Sequence, residues 1–139
     1  VPISGEGNGG IFFPNYRLVR DGAFIGAKFL ELLARSGETP SEVVAPYTDY
    51  ENVRRNLAYD EESELSAMLD AAETYAAEAD VEANTVDGYR LDYGDAWVLV
   101  RPSGTEPKVR IYAEAGDRER AVELADAVET ELAAALADE

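Results

Sequence analysis

The 139-residue chain has no cysteine and no histidine, and each gap closes off a class of protein. Without cysteine there is no disulfide framework, and without either residue the usual ligands of structural zinc are missing. Histidine is also the side chain most used for proton transfer near neutral pH, so such work falls to carboxylates, lysines or tyrosines. Lysine is scarce too, with Lys28 and Lys108 the only two. Against 29 acidic residues, the 12 basic ones leave a formal net charge of -17. A field of that sign repels polyanions, which argues against nucleic acid and anionic membrane surfaces as partners. No segment approaches the ~18 uninterrupted apolar residues of a membrane helix. The start, Val1-Pro2-Ile3-Ser4, has neither a charged leader nor an apolar signal core. A soluble, cytoplasmic protein is expected, and a chain that opens on valine with a Gly-rich motif close behind reads as a fragment of a longer one.

The 46% hydrophobic content suffices for one ordinary core, or for two small ones if a partner domain completes the first. The acids are spread along amphipathic segments rather than gathered in a block, so they do not read as a disordered tail. They read as adaptation to high salt, where short screening lengths make self-repulsion tolerable and the charge maintains solubility.

Hydrophobic spacing divides the chain into elements. Residues Ile3 to Pro14 hold a loop, Gly5-Glu6-Gly7-Asn8-Gly9-Gly10, feeding a short strand at Ile11 to Phe13. A helix follows from Asp21, its cap, to Gly37, with Ile25, Phe29, Leu32 and Leu33 on one face. Thr39-Pro40-Ser41-Glu42 has capping-box spacing and predicts a short helix that Pro46 stops. Periodicity lapses from Pro46 to Tyr50, and the boundary between two units, 1–48 and 49–139, is placed there.

The second unit opens with a strand through Val53 to Tyr59. A helix from Asp60 to Ala79 then carries Leu65, Met68, Leu69, Ala72, Ala76 and Ala79 on one face. Strand-like runs occupy Gly88 to Tyr93, Ala96 to Arg101 and Lys108 to Glu114, with Asp87-Gly88 and Gly94-Asp95 as turns. A last helix, Asp117 to Ala137, presents Ala121, Leu124, Ala125, Val128, Leu132 and Leu136. The expected architecture is α+β, an antiparallel sheet with both helices packed on one face. Trp97 is expected in the core or at a domain contact. Glu61, Glu62 and Glu64 suit a helix's first turn through its dipole rather than a metal site, and no metal ligand is proposed.

Two loops carry chemical potential. In Arg101-Pro102-Ser103-Gly104-Thr105-Glu106-Pro107, Gly104 lets the backbone approach a ligand, while Ser103 and Thr105 offer hydroxyls and amides. Arg101 and Arg110 add planar donors that suit a phosphate. A plain hairpin turn uses the same residue types. In the Gly5 to Gly10 loop a carboxylate and an amide stand among four glycines, which fits a ligand hydroxyl, although a flexible turn with an incidental acid has the same composition.

The seven-residue stretch from Arg101 to Pro107 resembles the phosphate-binding loop in the last domain of the α-D-phosphohexomutases, the family of phosphoglucomutases, phosphomannomutases and phosphoglucosamine mutases. Gly5 to Gly10 resembles that family's sugar-binding loop, with Gly10 where many members have histidine, and Asp21-Gly22 matches a common family dipeptide. The resemblance spans nearly the whole chain. It implies that residues 1–48 are the end of an α/β third domain and 49–139 a fourth domain resembling the TATA-box-binding protein in fold.

It further implies that Arg101, Ser103, Gly104, Thr105 and Arg110 bind the substrate phosphate, and that Glu6 and Asn8 bind sugar hydroxyls. Family members move a phosphoryl group between a phosphoserine and the C1 or C6 hydroxyl of a hexose, through a hexose 1,6-bisphosphate. The serine and an Asp-rich magnesium loop lie in other domains, so this chain alone is expected to be inactive. Glucose, mannose and glucosamine phosphates all remain open as substrates. The implied partners are the phosphosugar and the remaining domains of the same enzyme. A standalone, non-catalytic phosphosugar-binding module is the alternative.

Overall fold

A computed structural model of the chain describes residues 3–5 and 9–137, and the chain divides into two compact units, Val1–Thr48 and Asp49–Glu139. In the first, β1 (Ser4–Gly5) pairs antiparallel with β2 (Ile11–Phe12), Gly5 opposite Ile11. The helix α1 (Gly22–Ser36) is bounded as its ends dictate. The Asp21 carboxylate accepts the Phe24 N–H, and Gly37, at φ 74°, closes the other end with its N–H on the Leu33 carbonyl.

The capping box of α2 (Pro40–Val44) forms in both directions between Thr39 and Glu42. The α-helix ends at Val44, two residues before Pro46, as expected, and Pro46 itself lies inside a 3-10 turn, Ala45–Tyr47, that follows directly. At the first positions of such a turn proline's fixed φ fits and its missing N–H has no partner to lose. The face expected from Ile25, Phe29, Leu32 and Leu33 gains no interior: no hydrophobic side chain described in this unit is fully buried. Phe24 instead meets two rings, Tyr16 stacked at 4.0 Å and Phe13 edge-on at 5.1 Å between centroids.

The second unit has a core of its own. Its four strands, β3 (Glu51–Ala58), β4 (Tyr89–Asp92), β5 (Ala96–Pro102) and β6 (Lys108–Ala115), form an antiparallel sheet ordered β3-β6-β5-β4. Side chains alternate between the two sides of a strand. On β6, Val109, Ile111, Ala113 and Ala115 are buried, and on β5, Ala96, Val98 and Val100. They meet Met68, Ala72 and Ala76 of α3 (Glu62–Glu78) and Ala121, Leu124, Ala125, Val128 and Leu132 of α4 (Arg118–Ala137) in one cluster. The helix faces are those the spacing predicts, both on the same side of the sheet. Arg55 of β3 ties the sheet to α4 through Asp126 at 2.9 Å and Glu129 at 3.2 Å.

One expectation needs correction in part. The strand from Ala96 alternates, with Trp97, Leu99 and Arg101 on the helix-free side. Of the two places expected for Trp97, the core is therefore excluded. Its indole N–H donates to Glu114 at 3.0 Å, and the Arg90 guanidinium lies 4.1 Å from the ring centroid. The acids at the start of α3 do serve the helix: the Glu64 carboxylate accepts the backbone N–H groups of Asp60 and Glu61.

Candidate anion-binding site

The chain between β5 and β6 is fixed from both ends. Ser103 donates its N–H to the Lys108 carbonyl and Lys108 donates to the Glu106 carbonyl, both at 2.8 Å. Thr105 donates to the Ser103 hydroxyl at 3.4 Å, and Tyr59 donates to the Pro107 carbonyl at 3.2 Å. A Cβ on Gly104 would meet no protein atom within 4 Å.

At the root of this loop the register places Arg101 directly opposite Arg110. Both face the helix-free side, and like charges so opposed are destabilising without an anion between or beside them. Carboxylates from two loops meet them. Arg101 Nη1 reaches Asp87 Oδ2 at 2.9 Å, Arg110 Nη2 reaches Glu106 Oε2 at 2.8 Å, and Lys108 Nζ reaches Glu106 Oε1 at 2.9 Å. Hydrogen bonding and charge from Lys108, with Arg110 adding to them, hold the Glu106 carboxyl below the usual range despite some desolvation. Arg101 Nε is enclosed without an acceptor.

Tyr112 stands two residues beyond Arg110 on the same side. The Arg54 guanidinium lies 5.6 Å from its ring centroid and that of Arg101 5.9 Å. Burial pushes the phenol up, but its interactions with Arg110 and Arg101 outweigh this and leave it below the ordinary phenol range. In return the phenol oxygen, with Glu106, raises Arg110 further against desolvation. The described part of the site is thus a cationic surface: three arginines around one tyrosine, beside a glycine with open space.

The structure brings Arg101, Ser103, Gly104, Thr105 and Arg110 together at one end of the sheet. Glu6 and Asn8 lie outside the described residues, and their loop joins β1 to β2 in the first unit. Sequence reasoning missed Asp87, Glu106, Tyr112 and Arg54. Asp87 is separated from Arg101 by 14 positions, a contact that no local spacing announces. Tyr112 could have been found from the alternation of β6, which puts it on the side of Arg110. Among the described residues no three His, Cys, Asp or Glu side chains are grouped to hold a metal ion. Nor is any described helix long and apolar enough to cross a membrane.

The family description "Phosphoglucomutase/phosphomannomutase, C-terminal domain" matches residues 56–131, and "Phosphoglucomutase/phosphomannomutase, alpha/beta/alpha domain III" matches residues 1–50. The chain belongs to the phosphoglucomutase/phosphomannomutase family, of which it carries the C-terminal domain. Among curated relatives, a phosphoglucomutase/phosphomannomutase of Thermococcus kodakarensis is 39% identical over 123 residues, 87% of this chain and 26% of the relative. A probable phosphoglucosamine mutase of Methanopyrus kandleri is 41% identical over 124 residues, 89% of this chain and 27% of the relative.

Among solved structures, a family protein from Burkholderia thailandensis superposes with a TM-score of 0.74 at 29% identity, covering 97% of this chain and 28% of the other. An N-acetylphosphoglucosamine mutase of Aspergillus fumigatus, in complex with GlcNAc-6P and magnesium, gives 0.53 at 25% identity, with 84% and 22% covered. The chain therefore spans about a quarter of the length of the curated relatives it matches.

Proposed function

We propose that this chain is the substrate-holding part of a cytoplasmic phosphohexomutase, an isomerase that interconverts hexose 1-phosphate and 6-phosphate through a phosphoserine and a hexose 1,6-bisphosphate. Residues 1–48 close its third domain and residues 49–139 form its fourth. The observation that carries this is the pair of arginines held opposite each other at the root of a glycine-containing loop, where a dianion relieves their repulsion.

Arg101 and Arg110 supply charge and donors to the phosphate, Ser103 and Thr105 supply hydroxyls, and Gly104 leaves room for an oxygen. Glu6 and Asn8 read the sugar hydroxyls. Phosphoryl transfer depends mostly on position and charge stabilisation, so a group that holds the unreactive phosphate orients the other end for reaction. The same clamp serves both orientations of the sugar, since it grips the phosphate rather than a ring face. Magnesium, like the phosphoserine, is assigned to the portion of the enzyme beyond this chain, and no step here runs through it.

Titration of the 139-residue chain with inorganic phosphate and with glucose 6-phosphate tests the clamp. Saturable binding at Arg101, Gly104 and Arg110, followed by amide and guanidinium NMR shifts and lost in Arg101→Ala, is expected. Shifts confined to other residues would remove the assignment.

A further inference from the structure

Asp87 and Gly88 form the tip of a tight turn, closed by reciprocal backbone hydrogen bonds between Asn84 and Arg90 at 2.8 and 2.9 Å. Gly88 has a φ of 85°, a left-handed conformation. A Cβ there would lie 2.1 Å from the Val100 carbonyl oxygen and 2.7 Å from the Arg101 Cβ. The turn is therefore pressed onto β5 at Arg101 itself, as the pairing of Tyr89 with Val100 requires of the residue before it. Only a residue without a side chain permits that approach, and it carries the Asp87 carboxylate to Arg101.

We propose that Asp87 is a positioning residue for Arg101, seating the guanidinium over the Tyr112 ring so that its outer donors face the anion bound by the Arg101–Pro107 loop. This rests on the phosphate-clamp reading above. The contact uses one of the five guanidinium N–H groups, and Nε is enclosed without an acceptor. The side chain is thus held at one terminal nitrogen, Nη1, and N–H groups of its terminal nitrogens remain for a ligand. Glu106 differs in kind: it sits on the binding loop and must yield Arg110 when an anion enters. Asp87 sits on a separate hairpin whose geometry does not depend on the loop, so it holds Arg101 whether or not the site is filled.

The test is inorganic phosphate binding to the 139-residue chain, with circular dichroism and Tm recorded for every variant. Asp87→Asn should weaken binding about fivefold, the scale of a solvent-accessible ion pair, with Tm little changed. Asp87→Glu should recover part of that loss. Gly88→Ala, which lifts the turn from β5, should lose affinity to a similar degree and also lower Tm. In Arg101→Ala, which binds far more weakly, adding Asp87→Asn should change nothing further. Unchanged or tighter binding by Asp87→Asn, while Arg101→Ala loses it, would overturn the seat and leave the clamp standing. So would an additive double variant. Wild-type affinity in Arg101→Ala would instead overturn the clamp itself.

Discussion

A Cβ on Gly104 would meet nothing, whereas one on Gly88 would collide with the backbone of β5, so these two glycines serve different needs. Gly104 has an ordinary negative φ and no close neighbour, so neither fold nor packing demands glycine there. Gly104→Ala should change unfolding free energy by less than about 0.5 kcal/mol, measured by urea denaturation. Its phosphate affinity should fall, because the methyl takes up ligand space. An alanine variant that binds as well as wild type would mean that the space is not used. Tyr112 offers a spectroscopic check at the same scale. Burial opposes its ionisation but the neighbouring arginines favour it more, so absorbance titration of tyrosinate should show a phenol ionising below the ordinary phenol range. That early step should vanish in Tyr112→Phe.

Among the elements, β6 is the central determinant of both core and site. Ile111 is wholly buried beneath the helices, and Ile111→Ala should cost about 3 kcal/mol and lower Tm by roughly 10 °C in calorimetry. At α3, backbone N–H groups of Asp60 and Glu61 hold the Glu64 carboxyl below its usual range. A carboxyl depressed in the folded state stabilises above its unfolded pKa and ceases to do so as pH falls through the folded value. Wild type should therefore melt above Glu64→Ala at neutral pH, with the gap closing as the solution is taken to about pH 3. A gap that persists unchanged would mean that the charge of Glu64 is irrelevant to the cap.

Helices and their ends were legible because caps and apolar spacing are local: Asp21, Gly37, Thr39 and Glu42 each do what their position predicts. The loop of Arg101 to Pro107 was legible as a polar insert between two apolar strands. The side on which Trp97 lies was not, since Val98 and Val100 with Leu99 between them hide a two-residue period. The seat of Arg101 was also out of reach, because it arises from the pairing of β4 with β5 rather than from any spacing along the chain.

For the molecule as a whole, the net charge of -17 conceals an uneven distribution. Arg54, Arg90, Arg101, Lys108 and Arg110 all project from the helix-free side of the sheet, five of the 12 basic residues. Asp92 and Glu114 share that side and Asp87 and Glu106 reach it from the turns, so charge there is close to balanced while the rest of the protein is acidic. Such a protein should respond to salt in two opposite ways. Screening relieves the general repulsion, so Tm should rise between about 0.1 and 2 M KCl, where the Debye length shrinks from ~10 to about 2 Å. Phosphate affinity should weaken over the same range, because the attraction at the arginines is screened too. A Tm that stays flat or falls would remove the high-salt adaptation reading.

The alternation of β6 has a consequence for how this sheet tolerates change. Odd-numbered positions from 109 to 115 point into the interior, and even-numbered ones from 108 to 114 point to the exposed side. In a saturation library scored separately for cellular abundance and for phosphate binding, neighbouring codons should sort into alternate columns. Lesions at Val109, Ile111 and Ala113 should deplete the protein. Lesions at Lys108, Arg110 and Tyr112 should leave it plentiful but weak in phosphate binding.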